Sequence, residues 1–411
     1  MNKGFTTKAL HTAFPQDDAY RALHMPVYDG VAFDFDSAES MEAVFSGRRP
    51  GHAYARTSNP TVEYFEKKLK TVTGAHAVLA LSSGMAAITS AILSLVSVGD
   101  NLLASNLLFG HTYAFFKTTL PGLGIEVRFV DFSSEESVLA AIDEKTRLVF
   151  FETITNPQLQ IVNIKPIADL AHQHNLLVMV DSTTTPPNVF SSKKFGVDIE
   201  VMSTTKFLSG GASAFGGAAI DNGTFDWTKI PALSTWCVKF GADAFIARLR
   251  KELFRHLGGA MTAQTAHYMN LGLDILSLRV DKCVDNCMVL AQFLKECHQV
   301  KTVNYPGMAE NKGYQLAKEQ FSGKPGAILT FDLSSRSACF DFMNALKLIR
   351  RATNLNDNKT LIIHPHSTIY AEFSLAERAE MGIPDTQMRL SVGIEDVDDL
   401  MADISQALSV I

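Results

Sequence analysis

The chain has 411 residues, 46% of them hydrophobic and 19% charged, with a formal net charge of −6. That length predicts about two or three domains with sizeable cores, and its apolar content excludes a disordered, collagen-like or low-complexity chain. Mild acidity without a basic block excludes nucleic acid or an anionic membrane surface as the main partner. The first 55 residues or so are weakly periodic and read as an extended arm with a short helix. Short apolar runs then alternate with helical patterns: AVLAL (77–81), a helix over 84–98, NLLAS (101–105) and a helix over 111–120. EVRFVD (126–131) leads through Ser133 and Glu136, spaced as a capping box, into a helix ending near Asp143. RLVFFET (147–153), a helix around 167–174, LLVMVD (176–181) and IEVMST (199–204) complete the alternation. Continuous apolar strands separated by helices predict a mostly parallel α/β sheet.

The texture changes after about Arg248. A long helical stretch runs to about Glu296, followed by a strand at 326–333, a helix over 338–349, a strand near 388–392 and a closing helix over 396–408. This pattern predicts a smaller α+β domain. The five cysteines are odd in number and fit a reducing compartment. Cys283 and Cys287 share one helix face and, lacking further ligands, read as packed core residues, so no metal site is expected. The N-terminus lacks a signal-peptide core and no apolar run reaches the ~18 residues of a membrane span, so cytoplasm is the expected location. The pairs His172/His174 and His364/His366, the Asn-Gly-Thr and Asn-Lys-Thr triplets, and the acidic stretch from Glu395 to Asp399 read as inert.

Three segments carry chemistry. In STTKFLSGG (203–211), Lys206 follows an apolar strand and precedes a glycine-rich turn. Desolvation there lowers an amine's pKa and suits Schiff-base formation; a rim lysine reaching solvent is the competing reading. In VMVDSTTTPP, Asp181 ends a strand, where α/β sheets bind ligands. It can hold a pyridine nitrogen protonated or simply cap a turn. In LSSGMAAI (81–88), Ser83, Gly84 and Met85 place small residues and backbone N–H groups at a helix N-terminus, which favours a phosphate. Neither GxxxxGK[ST] nor GxGxxG occurs, so the nucleotide fingerprints are missing. Lysine, strand-end acid and anion site together point to pyridoxal 5'-phosphate (PLP).

In order and wording, YARTSNPT (54–61), SSGMAAI (82–88), FETITNP (151–157), VMVDSTTTP (178–186), STTKFLSGG (203–211) and RLSVGIEDVDDL (389–400) resemble the trans-sulfuration enzymes, the PLP-dependent family of Cys/Met metabolism. The resemblance implies an aspartate aminotransferase-like (fold type I) large domain over 56–248, a small C-terminal α+β domain over 249–411, and an arm over 1–55 that contacts a neighbouring subunit. It implies that Lys206 is the Schiff-base lysine and Asp181 the acid on the pyridine nitrogen. The phosphate falls to the Gly84 and Met85 backbone, the Ser203 and Thr205 hydroxyls, and a neighbour's Tyr54 and Arg56. A homotetramer built as a dimer of dimers follows. Arg389 matches the arginine that grips the substrate carboxylate, and Asn156 the asparagine near the cofactor ring oxygen and that carboxylate, although Asn156-Pro157 is also a plain turn signal.

One departure stands out. Relatives carry L-Y-G with the tyrosine stacked on the cofactor ring, whereas this chain reads LFGHTY, placing Phe109 there. Stacking survives, but the acid–base hydroxyl does not; His111 and Tyr113 are the nearby substitutes. The cysteine that methionine γ-lyases carry at position 111 is absent. TNLNDNKTLIIHPHST (353–368), including Asn354, resembles a stretch of the O-acetylhomoserine sulfhydrylases, with Thr353 and Asn356 departing from it. The resemblance therefore implies γ-replacement on O-acetyl-L-homoserine by sulfide or a thiol, giving homocysteine with sulfide. Methionine γ-lyase and cystathionine γ-synthase or lyase are the alternatives.

Overall fold

The computed structural model describes residues 3–14 and 18–411. In chain order the first strands are β1 (Ala77–Leu81), β2 (Asn101–Ser105), β3 (Glu126–Val130), β4 (Thr146–Glu152), β5 (Leu177–Asp181), β6 (Ile199–Met202) and β7 (Gly217–Asp221). The later ones are β8 (Thr302–Asn304), β9 (Ile328–Asp332), β10 (Arg350–Arg351), β11 (Leu361–Ile363) and β12 (Gln387–Ser391). The chain divides into two compact units, one of Met1–Ser97 and Val197–Ile275, the other of Val98–Gly196 and Leu276–Ile411.

In the first unit, β7 pairs antiparallel with both β1 and β6. Its sequence GAAID opens with three small residues of low strand preference, which is why no strand pattern shows there. Small size is what the position demands: a Cβ on Gly217 would lie 2.0 Å from the Ser83 carbonyl oxygen. After β1 the chain enters the helix Gly84–Leu93, capped by Ser83, whose Oγ accepts the Ala86 N–H at 3.1 Å. The helix Pro60–Thr73 starts at Asn59, which accepts the Thr61 N–H, and stops at left-handed Gly74. Lys68, 2% exposed on that helix, donates to Asp274 at 2.5 Å and ties the helix Ala263–Asp274 to it.

The second unit holds parallel strands in the order β5-β4-β2-β3 and a separate sheet in the order β10-β11-β12-β9-β8, antiparallel except for β10–β11. The inner strands β2 and β4 are buried along almost their whole length, as their unbroken apolar runs require. Register places Glu152 beside Asp181 where β4 and β5 end. Cys283 and Cys287 lie fully buried on the helix Leu276–Glu296, and burial raises both thiols. Parallel pairing among β2 to β5 and a separate sheet of β8 to β12 give the expected α/β class.

Several expectations shift. The cap at 133 moves one residue: Ser134 Oγ accepts the Ser137 N–H, while Ser133 turns back to Asp131, and the helix ends at Ala140. The long helical stretch is broken by left-handed Gly258 and resumes as Ala263–Asp274 and Leu276–Glu296. Strands β8, β10 and β11 span two or three residues each, too short for any period to register. Among the described residues no helix is long and apolar enough to cross a membrane.

Candidate active site

In the first unit, the turn into the helix Gly84–Leu93 meets the segment after β6. A Cβ on Gly84 would lie 2.7 Å from the Ser203 Cβ, so only glycine permits this approach. At the first helical position, the Gly84 N–H has no carbonyl one turn back to bond, which makes the turn a donor site for an anion. Thr205 Oγ1 donates to the Gly216 carbonyl at 3.2 Å and accepts the Gly216 N–H at 3.0 Å, locking the segment to the residues before β7. Neighbouring Thr204 has a buried hydroxyl with no partner among the described residues. Lys206 is half-buried and precedes the short helix Phe207–Ser209. Met85 and Ser203 are half-buried too. Tyr54 and Arg56 are exposed: the Arg56 guanidinium lies 5.7 Å from the Tyr54 ring centroid and donates to the Arg255 carbonyl.

The second unit gathers the remaining residues. Arg389, 1% exposed in β12, donates through Nη1 to Asn156 Oδ1 at 2.9 Å and through Nη2 to the carbonyls of Asn354 at 3.0 Å and Thr353 at 3.4 Å. All three acceptors are neutral, and Nε has no partner among the described residues. Burial brings the guanidinium down to about 10. A buried cation with no counter-ion among the described residues and an unmet donor can pair with a carboxylate brought in by a ligand. Asn354 is half-buried, and its Nδ2 donates to Asp357 at 3.2 Å.

Asp181 closes β5, and its Oδ1 accepts the Thr183 N–H at 2.9 Å, so it forms a turn as well as a strand-end acid. Burial raises its carboxyl, opposed by the Thr183 hydrogen bonds. Phe109 stands half-buried at the start of the helix Gly110–Ala114, its ring edge-on to His111 at 5.3 Å. Tyr113 instead packs on Phe129 and Phe373, at 4.7 and 5.7 Å, and burial raises its phenol. Of the two candidates for the missing hydroxyl's work, His111 is the one against Phe109. His364 has both ring nitrogens engaged, with Ser367 Oγ and the Asp385 carbonyl.

Sequence reasoning missed two residues here. Glu152 Oε1 accepts the Phe109 N–H at 2.6 Å and Oε2 accepts the Asn156 N–H at 3.3 Å. Burial, and then Asp181, push its carboxyl up to about 8. Tyr370, fully buried, donates to the Asn156 carbonyl at 3.0 Å. Two acids ending adjacent apolar strands were the available signal for Glu152; nothing in the sequence flags Tyr370.

The family model for Cys/Met metabolism PLP-dependent enzymes matches residues 6–409. The L-methionine gamma-lyase of Pseudomonas putida is 36% identical, over 98% of this chain and 97% of its own length. The solved O-acetylhomoserine sulfhydrylase of Wolinella succinogenes is 42% identical with a TM-score of 0.80, covering 99% of this chain and 100% of that one. A Campylobacter jejuni chain whose crystal structure holds N'-pyridoxyl-lysine-5'-monophosphate is 32% identical with a TM-score of 0.95, again over 99% and 100%. The chain therefore belongs to the Cys/Met metabolism PLP-dependent enzyme family, and pyridoxal phosphate is its cofactor.

Proposed function

We propose that the chain catalyses γ-replacement on O-acetyl-L-homoserine: sulfide, or another thiol, takes the place of acetate at Cγ, and with sulfide the product is homocysteine, a step toward methionine. The observation that carries the amino-acid reading is Arg389, whose buried positive charge has, among the described residues, only neutral partners and an unmet Nε donor. The likeness to the Wolinella succinogenes sulfhydrylase supports the choice of ester and sulfur nucleophile.

The residues present fit the cofactor. The Gly84–Ser203 approach leaves a turn whose amide and hydroxyl donors suit a phosphate, and Thr204 adds a buried hydroxyl still to be met. Gly84, Met85, Ser203 and Thr205 would hold the phosphate, Asp181 the ring nitrogen, Phe109 the ring face and Lys206 the aldehyde carbon. Bound there, pyridoxal phosphate supplies an electron sink that acidifies the substrate α-hydrogen. The chain supplies the rest. Lys206 takes the proton from Cα and then moves a proton at Cβ, which lets the γ-acetoxy group depart. Arg389 pairs with the α-carboxylate while Asn156, held by Arg389 Nη1, fixes its direction. Acetate leaves readily at neutral pH, so a ring without a hydroxyl at position 109 serves an ester better than a thioether.

The exposed Tyr54 and Arg56 serve the phosphate of a second copy of the chain, in a homotetramer whose arm over 1–55 reaches across, and the enzyme works in the cytoplasm. The test is one side-by-side assay of O-acetylhomoserine with sulfide or cysteine, O-succinylhomoserine with each, and methionine alone. Homocysteine from the acetyl ester and sulfide is expected to dominate. Oxobutyrate and methanethiol from methionine as main products would replace this reading with the γ-lyase.

A further inference from the structure

Glu152 is bonded to residues the proposed reaction uses, yet the reaction assigns it no task. It closes β4 at 6% exposure, and its two oxygens accept the backbone N–H groups of Phe109 and Asn156. From Asn156 the connections continue: its Oδ1 accepts Arg389 Nη1, and its carbonyl accepts the Tyr370 hydroxyl. That hydroxyl also lies 3.3 Å from the carbonyl of Leu108, the residue before Phe109. The circuit closes on itself through Glu152, Phe109, Leu108, Tyr370 and Asn156. An apolar side chain at 152 would strand two backbone donors without an acceptor.

We propose that Glu152 is a positioning residue that fixes the Phe109 ring and the Asn156 carboxamide, and through Asn156 the Arg389 guanidinium, in one frame, so that the ring platform and the carboxylate grip keep a constant separation. The charged and titratable groups facing this frame are Asp181 in β5, Arg389 in β12, and Tyr370 and His111 on the segments packed beside it. Burial beside Asp181 favours the protonated form of Glu152, which leaves the strand-end charge to Asp181. A neutral carboxyl can still accept both N–H groups, one at each oxygen.

This inference rests on reading Phe109, Asn156 and Arg389 as cofactor and substrate residues. Its test uses Glu152→Gln and Glu152→Ala, each loaded with PLP, beside the parent enzyme. The readouts are the visible circular dichroism of the bound cofactor, KM and kcat for O-acetylhomoserine with sulfide, and Tm. Glu152→Ala is expected to lose most of the visible dichroism and raise KM for the amino acid about 10- to 100-fold. Glu152→Gln, nearly the same shape with one acceptor oxygen left, should fall between it and the parent. A merely structural Glu152 would lower Tm in both variants while leaving the dichroism and KM of the folded enzyme within twofold of the parent, and that result overturns the proposal. The dichroism comparison does not depend on the substrate. A parent enzyme inactive on the ester thus sinks the functional reading alone, whereas unchanged dichroism in Glu152→Ala sinks this one alone.

Discussion

The turn at 82–86 with the segment 203–206, and the cluster around Arg389, prepare for a ligand by opposite means. The first works through what is missing: no Cβ at Gly84, none at Gly217, and backbone brought against Ser83 and Ser203. The second works through what is present in excess, a buried cation whose hydrogen bonds all end on neutral oxygens. A backbone cradle fails when anything is added, while a charge pocket fails when its charge is removed. The two regions should therefore respond to substitution in different observables, cofactor retention for one and substrate KM for the other.

The largest effect is expected at Lys206. In the proposed reaction Lys206→Ala removes the amine assigned both to bond the cofactor and to move substrate protons, so turnover with O-acetylhomoserine and sulfide should fall by about 10³-fold or more. Tm should change little, since the residue is only half-buried. Steady-state assay alongside the cofactor's absorption band checks this. Retained turnover with an unchanged band would remove Lys206 from the chemistry.

Arg389→Met comes next and tests the charge pocket. Loss of the guanidinium should lower kcat/KM for the amino acid about 10²- to 10³-fold, almost all of it through KM. Replacing an uncompensated buried charge by an apolar chain of similar reach relieves desolvation but strands Asn156 Oδ1 and two carbonyls, so Tm should stay within a few degrees. A large fall in Tm with an unchanged KM would make Arg389 a structural residue and erase the contrast between the regions.

How legible each region is in the sequence follows from the same contrast. The cradle is written in consecutive residues, Ser83-Gly84-Met85 and Ser203 to Lys206, because a strand followed by a tight turn and a helix places neighbours in sequence side by side. The same local logic made strands β1 to β5 readable as apolar runs. The charge pocket is assembled from positions 109, 152, 156, 354, 370 and 389, and no local pattern joins them. Arg389, Asn156 and Phe109 were reached only through resemblance to a family. Glu152 and Tyr370 were not reached, since their partners are backbone groups, which every residue has. β7 escaped for a related reason: its first residue, Gly217, answers to crowding by Ser83, a tertiary demand rather than a strand preference.

A milder blow to the cradle is Gly84→Ala. Its new methyl would lie 2.7 Å from the Ser203 Cβ and 2.9 Å from the Ser203 Cα, so backbone must shift to admit it. Overpacking of this kind costs about 1–3 kcal/mol, which if expressed at the phosphate weakens cofactor binding about 5- to 150-fold. Equilibrium dialysis of PLP against the variant measures this, with KM for the amino acid at saturating cofactor expected to stay level. A raised KM with full cofactor affinity would mean that the two regions do not separate as argued.

The smallest expected effect is also the one that bears on which bond is broken. Phe109→Tyr adds a hydroxyl to a ring whose centroid lies 5.3 Å from that of His111. Methanethiolate is a far more basic leaving group than acetate, so a proton donor there should help methionine elimination several-fold and leave the ester reaction unchanged. The backbone of residue 109 keeps its bond to Glu152 in either form, so ring position is held constant and only the hydroxyl is varied. Parallel kcat measurements with methionine and with O-acetylhomoserine plus sulfide decide it. A several-fold loss with the ester would mean that the bare phenyl face is itself needed for acetate departure. The pocket around Phe109 would then be shaped for the ester by exclusion, rather than relieved of a hydroxyl it did not need.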